Sequence, residues 1–480
     1  MQERTRIPQN TFYLFISEVV NKLLGIVFVG VVARHLGKAG YGELSFVFAS
    51  VYLLTLFLDF GINTILVREI ARNRERAKDF LYNSLFLKSY LALLVIVFLF
   101  LFQKFTHLTP PVSSLLYIIG IAVIFTSLSE IFRSSYFIAC EMAWMKGSLM
   151  VIHRLVELSL TLLFIFLLGG GLIKIGWALL LASLFNLIFS YFSTRRYIFS
   201  QRWKGDLSLQ KWIIKSSLPL GVGIFFLGIY NRIDTVMLSF MKGDIPVGIY
   251  NAAYRLMEVL VFIPASLSGA LLPVLSRYFK SSPKKFRTTF LFYLKLAWVI
   301  SLPLAVIMGF FPSFFIHLIF GKAFQESTGA LIILVWTFPL LSLNYLLRDY
   351  FISSNRQIMS LYFFSLGAFL NILLNLILIP HWSYRGAAAA TLATEFWGSI
   401  FLLGAIKLGR EKVPLRDTLE KPLVSALGMT TAIHYGMRIN EVFSFFAGII
   451  AYILLLLIQE TFTSEEWKAI KERIKVWERS

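Results

Sequence analysis

Charged side chains stand where an apolar chain should not tolerate them. Nine basic residues interrupt long hydrophobic runs: Lys22, Lys88, Arg133, Arg154, Lys215, Arg232, Arg255, Lys295 and Arg348. Eight acids lie at comparable depth: Glu18, Asp59, Glu130, Glu157, Asp234, Glu258, Asp349 and Glu395. An unrelieved cation at the centre of a bilayer helix costs about 3 kcal/mol, so nine would cost roughly 27 kcal/mol. Folding margins are only about 5–15 kcal/mol. These groups must therefore reach water, an acidic partner or an aqueous cavity. Lys88, Lys215 and Lys295, near helix ends, are expected to snorkel to the interface, as could Arg133, Arg154 and Arg348. Four acid–base pairs fall at helix-neighbour spacing: Glu18/Lys22, Glu130/Arg133, Arg154/Glu157 and Arg255/Glu258. Lys22, Arg232 and Arg255 lie well inside their runs, where a water-filled lumen is the expectation. A lumen carrying both signs suits an anionic, sugar-bearing solute: cations hold the anion, while carboxylates and aromatic rings bind sugars. Carboxylates such as Glu258, Asp234, Glu18, Asp59 and Glu395 could also exchange H+ or Na+, because burial draws a carboxyl towards working pH.

The elements that carry these residues are set by composition. Of 480 residues, 58% are hydrophobic and only 15% charged, against about 45–50% and about 25% in a soluble domain. Polar breaks leave fourteen apolar segments: 12–33, 41–66, 80–102, 115–138, 148–168, 173–192, 212–241, 246–272, 287–311, 327–352, 358–380, 385–406, 421–436 and 442–459. A spanning helix takes about 20 residues, so the expected class is an all-α integral membrane protein. The thirteenth segment is short and weak, so twelve or thirteen spans also fit. The first run holds Glu18 and Lys22 and lacks a small-residue cleavage site, which reads as a retained span. The net charge of +20 follows from basic cytoplasmic loops and gives no reason to invoke nucleic acid. With the N-terminus inside, the cytoplasmic side holds 29 of the 46 Lys/Arg and the outer side 8. Both termini are then cytoplasmic. One cysteine, Cys140, and six scattered histidines provide no disulfide framework and no metal-ligand spacing. No cofactor is expected beyond coupling ions.

Two further patterns organise the chain. Thr463 and Glu466 form a capping box, after which Trp467, Ile470, Ile474 and Trp477 fall on one helical face; an amphipathic helix on the cytoplasmic surface is expected, with partner binding as the alternative. The halves also echo each other. Phe86-Leu87-Lys88 resembles Tyr293-Leu294-Lys295, Tyr136-Phe137-Ile138 recurs as Tyr350-Phe351-Ile352, and Gly176-Trp177-Ala178 aligns with Gly386-Ala387-Ala388. An offset near 210 covers six helices, an even number, so both repeats share one orientation. The expected organisation is a six-helix lobe at 1–205, a second at 206–410, two additional helices at 411–460 and the tail helix at 461–480.

The first loop, Ala33-Arg34-His35-Leu36-Gly37-Lys38-Ala39-Gly40-Tyr41-Gly42, resembles a signature of the polysaccharide (O-antigen-type) flippases. These belong to the multidrug/oligosaccharidyl-lipid/polysaccharide exporter superfamily, whose fold is MATE-like. Asp59-Phe60-Gly61 with Arg68 to Arg72, Asn231 to Asp234, Gly248 to Leu256, Asn371 to Pro380 and Gly386 to Ala388 continue the likeness over roughly residues 11–406. The resemblance implies a monomeric alternating-access carrier that moves a polyprenyl-diphosphate-linked oligosaccharide to the outer leaflet, working beside polysaccharide polymerase machinery and surrounded by membrane lipids. It makes Arg255 the leading diphosphate contact, with Arg232 and Lys22 next and Arg154, Arg133 and Arg348 as further candidates. A multidrug/cation antiporter of the superfamily is one rival, although it would be expected to favour an acidic lumen. The two extra helices also fit a lipid II flippase. A membrane glycosyltransferase fits poorly, because the longest expected outer loop, Pro312 to Glu326, carries one acid, Glu326.

Overall fold

The computed structural model describes residues 2–198, 205–408, 415–464 and 466–468. Among the described residues the chain is helical and contains no strand. That follows from the solvent: a backbone in hydrocarbon must bond to itself, and a helix does so within one segment. Its elements are α1 (Gln2–Asp59), α2 (Ile62–Arg72), α3 (Ala77–Thr106), α4 (Pro110–Glu130), α5 (Phe137–Ala139), α6 (Ala143–Phe166), α7 (Leu172–Ile198), α8 (Leu207–Lys242) and α9 (Asp244–Leu260). There follow α10 (Phe262–Ser281), α11 (Pro283–Phe310), α12 (Pro312–Phe320), α13 (Ser327–Leu334), α14 (Thr337–Ser353), α15 (Ile358–Leu408), α16 (Leu415–Gly436) and α17 (Glu441–Ile458). A π-helical turn, Ile131–Tyr136, joins α4 to α5.

Among the described residues, eleven stretches are long and apolar enough to cross a membrane. Two are double: Tyr13–Arg72 runs 60 residues and Ile358–Leu408 runs 51, where a single crossing takes about 20. They break at Gly37 (φ 68°, ψ −175°) and Ser383 (φ 51°, ψ −132°). Helix α16 is less apolar and falls outside the eleven, but it pairs antiparallel with α17 along its length. Gly428 faces Leu455, Gly448 faces Ile433 and Gly436 faces Ser444, so the weak thirteenth segment is one arm of a helical hairpin.

Several boundaries differ from the hydrophobic pattern. The run 41–66 breaks at Phe60 (φ 36°) and Gly61 (φ 85°), 246–272 divides after Leu260, and 327–352 divides after Leu334. Hydropathy cannot see such breaks, because both flanks are apolar. The expected outer loop Pro312 to Glu326 is largely helical: α12 and a 3-10 turn, Lys322–Phe324, fill it. In the tail, the capping box forms as expected: the Glu466 carboxylate accepts the Thr463 amide at 2.8 Å, and the Thr463 hydroxyl accepts the Glu466 amide at 3.3 Å. Ile470, Ile474 and Trp477 lie outside the described residues, as do parts of the basic clusters at 195–211 and 407–421.

The internal repeat is written in the backbone. Left-handed residues recur 214 positions apart: His107 with Gly321, Glu141 with Asn355, and Gly169 with Ser383. The Glu141 and Asn355 sites are matching Schellman caps. The Met142 amide donates to the Phe137 carbonyl at 2.7 Å, and the Arg356 amide to the Phe351 carbonyl at 2.8 Å. Gly37 and Gly243 (φ 82°, ψ −171°) form a fourth pair, 206 apart, both in a region that only glycine enters readily.

By packing, the chain divides into one compact unit of residues 1–251 with 319–324 and another of 252–318 with 325–480. In the first unit the repeat produces a reciprocal crossing. A Cβ on Gly42 would lie 1.9 Å from the Asp244 carbonyl oxygen, and one on Gly248 would lie 2.0 Å from that of Lys38. No larger residue fits either position. Here the first-loop motif acquires a physical meaning. Arg34 donates to the Ile319 carbonyl at 3.0 Å, and Tyr41 packs on Phe320 and Phe324 with ring centroids 6.1 and 5.9 Å apart.

Candidate functional site

The embedded charges resolve into a few clusters, each described within its own unit. In the first unit, the side chain of Lys88 on α3 is completely buried, not turned to the interface as its position near the helix end suggests. It donates to Asp59 at 3.0 Å, to Asn63 at 3.1 Å, and to both the carbonyl and hydroxyl of Ser127 at 3.2 Å. Asp59 also accepts the Asn63 amide at 3.3 Å, at the break between α1 and α2. This closed shell solves the cost of a cation at depth by pairing it, so Asp59 is first of all the counter-ion of Lys88.

A second cluster gathers around the π-helical turn. Arg133 pairs with Glu130, while its Nε and Nη1 are buried without hydrogen-bond partners. The charges acting on it are Glu18 of α1 and Arg154 of α6. Arg154 bonds Glu157 at 2.9 Å and Asn21 at 3.3 Å. Lys146 and His153 face the same groups. Glu18 thus acts on Arg133 and Lys146 of other helices, whereas Lys22, its expected helix neighbour, is exposed on α1. The π turn matters here: one extra residue per turn re-aims side chains, a feature common at functional sites.

Asp234 on α8 is buried and accepts the Tyr250 hydroxyl and, at 2.7 Å, the Thr235 amide. Two residues earlier, Arg232 lies over the Tyr52 ring, 5.8 Å from its centroid.

In the second unit, Arg255 and Glu258, one turn apart on α9, form an ion pair at 2.6 Å with side chains 37% and 24% exposed. It is more open to solvent than the pairs at Arg133 and Arg154. Arg348 on α14 is held by rings: its guanidinium lies 4.4 Å from the Tyr345 centroid, 4.8 Å from Phe364 and 5.7 Å from Phe363. Cation–π attraction of this kind strengthens as water is excluded. Glu395 on α15 is buried and accepts Asn344 Nδ2 at 2.8 Å; Asn344 in turn accepts the Ser399 hydroxyl at 2.9 Å.

Three of the four helix-neighbour pairs therefore form, at Glu130/Arg133, Arg154/Glu157 and Arg255/Glu258. The long-range partners Lys88–Asp59 and Lys295–Glu466 are invisible to periodicity, since the second joins residues 171 apart. Most embedded cations are neutralised or stacked on rings rather than left as bare positive charge.

A family model described as "polysaccharide biosynthesis protein" matches residues 7–279, more than half of the chain. The chain belongs to this family. A second model, MatE, matches residues 219–377. A membrane protein of Methanocaldococcus jannaschii is 24% identical over 398 residues, covering 77% of this chain and 78% of that protein. An Escherichia coli protein named as an O-antigen transporter is 23% identical over 278 residues, 56% of this chain and 65% of its own. AglR of Haloferax volcanii, named as a flippase, is 27% identical over 243 residues, 48% and 50% of the two chains. In fold, the chain is similar to an inward closed structure of the lipid II flippase MurJ, with TM-score 0.77 and 16% identity over 93% of this chain and 98% of that one. An inward-facing MATE transporter gives TM-score 0.65 and 16% identity over 82% and 95%. This polysaccharide biosynthesis protein thus has the multi-pass fold of that transporter superfamily. The family match contains the first-loop motif and the Arg232–Asp234 and Arg255–Glu258 segments.

Proposed function

We propose that this protein is a flippase that carries a polyprenyl-diphosphate-linked oligosaccharide from the cytoplasmic to the outer leaflet by alternating access, for cell-surface polysaccharide synthesis. The observation that carries this reading is the family match over residues 7–279; relatives named as an O-antigen transporter and a flippase support it. The protein acts as a carrier, not an enzyme, in the inner membrane with both termini cytoplasmic. It works as a monomer, surrounded by membrane lipids and beside polysaccharide polymerase machinery.

Arg255 is the residue we assign to the diphosphate. Its guanidinium can offer a planar fork of donors to phosphate oxygens, and its half-open pair with Glu258 makes the exchange chemically simple. A diphosphate that takes Arg255 releases the Glu258 carboxylate, which can then hold H+ or Na+. Arg232, Lys22, Arg154 and Arg133 of the first unit and Arg348 of the second are further candidate anion contacts, each within its own unit. Asp234, Glu18, Asp59 and Glu395 are secondary ion-coupling groups, three of them already committed to the partners described above.

The experiment is transport by Arg255 variants in proteoliposomes. Arg255→Glu and Arg255→Ala should abolish flipping at normal insertion, while Arg255→Lys retains part of it, keeping the charge without the fork. Full transport by Arg255→Glu would remove the assignment. The MurJ-like fold, with α16 and α17 as extra helices, favours lipid II as a second reading; it shares the diphosphate, and competition between lipid II and an oligosaccharide-diphosphate lipid separates the two.

A further inference from the structure

The repeat makes Lys88 and Lys295 counterparts, 207 residues apart, yet the two lysines are satisfied in opposite ways. Lys88 turns inward to Asp59, Asn63 and Ser127. Asn63 also accepts the Ser135 hydroxyl at 3.4 Å, so Ser135 stands at the edge of the same shell. Lys295, on α11, instead reaches the tail. Both oxygens of Glu466 lie at 3.0 and 2.9 Å from its ammonium, and the Phe462 ring centroid lies at 5.6 Å.

The second repeat nevertheless contains an inward acid. Asp349 lies 214 residues beyond Ser135, the offset that relates Tyr136-Phe137-Ile138 to Tyr350-Phe351-Ile352. It sits on α14, which packs on α11 through Tyr350 against Phe286 and Phe290, with centroids 5.3 and 5.0 Å apart. Asp349 is buried, and its Oδ2 has no hydrogen-bond partner; the Ser268 side chain hydrogen-bonds the carboxyl and the Arg348 charge acts on it. A buried carboxylate left short of donors is costly, and its counterpart Ser135 stands at the edge of the Lys88 shell, joined to that lysine through Asn63.

We propose that Lys295 is a two-position cation, held by Glu466 while the tail is docked and turning to Asp349 when the tail leaves. The tail is then a strap whose release creates, inside the second unit, the lysine–carboxylate pair that the first unit carries permanently as Lys88–Asp59. Either position neutralises the ammonium, so the strap can open without stranding a charge in the membrane. The switch does not depend on which substrate the carrier moves.

The test uses the full chain with Cys140→Ser and a spin label at Lys468→Cys, reading the ratio of immobile to mobile label. Glu466→Gln should lower that ratio severalfold. Asp349→Asn, a change on a different helix, should raise it severalfold, because the competing site is lost. Lys295→Met should make the ratio indifferent to Asp349. If Asp349→Asn does not accumulate, Asp349→Ser installs the residue type that the first repeat has at Ser135 and serves the same purpose. An unchanged ratio in both Asp349 variants, with Glu466→Gln still releasing the label, would overturn the switch and leave only a static tail contact.

Discussion

Lys88 and Asp59 should not tolerate being changed one at a time. Asp59→Asn leaves a buried ammonium without its counter-ion, and breaking such a pair costs about 3–5 kcal/mol. The expected outcome is a large fall in thermal stability in detergent, with most of it regained in Asp59→Asn/Lys88→Met. Additive losses in the double variant would show that the pair does not act as a unit. This residue is only half legible in the sequence. That a lysine in an apolar run needs relief follows from its charge alone, and snorkelling is the natural expectation. Its true partner lies across the break at Phe60–Gly61, 29 residues away, where no helix period links the two. The i,i+3 pairs at Arg133, Arg154 and Arg255 are readable because helix geometry alone brings them together.

At the scale of elements, the crossing of Gly42 with Gly248 is the least forgiving contact in the first unit. A methyl group at either position would meet a carbonyl oxygen at about half the normal contact distance, at 1.9 or 2.0 Å. Overpacking of this kind costs about 3 kcal/mol or more, so Gly42→Ala and Gly248→Ala should each lower the yield of folded protein sharply. The Schellman caps behave oppositely. Asn355 (φ 61°) and Glu141 (φ 60°) hold a conformation that costs an ordinary residue about 1–2 kcal/mol; Asn355→Gly should stabilise and Asn355→Val destabilise, as measured by thermal unfolding. Helix α8 carries a pH-dependent cap. Hydrogen bonds from the Ser208 hydroxyl and then the Leu209 amide hold the Asp206 carboxyl below its usual range. Because the folded form favours the ionised acid, the cap contributes above the ordinary aspartate range and is lost as pH falls through the depressed folded value. Asp206→Asn should flatten that acid-side loss. The sequence shows where the helices run but not where they break, because a break inside an apolar run changes backbone angles and leaves hydropathy untouched.

Across the whole molecule, duplication is legible as three short echoes and is far clearer as matched left-handed residues at one offset. Function is legible as charge in the wrong solvent. What the echoes cannot convey is that most of that charge is internally compensated; the Arg255–Glu258 pair, proposed above as the diphosphate contact, is itself an ion pair, though a partly exposed one. An anionic head group leaving a negative interior gains about 2.3 kcal/mol per charge per 100 mV for a full crossing. Outward flipping in vesicles with equal pH and Na+ should therefore accelerate under an interior-negative potential; dependence on an ion gradient alone would make Glu258 the engine instead. The most direct measurement compares two fluorescent polyprenyl lipids in proteoliposomes, identical in glycan but with and without the diphosphate. The account expects protein-dependent flipping of the diphosphate lipid, lost in Arg255→Glu, and little movement of the neutral one. Equal flipping of both, or transport of a cationic amphiphile with the diphosphate lipid left behind, would contradict it.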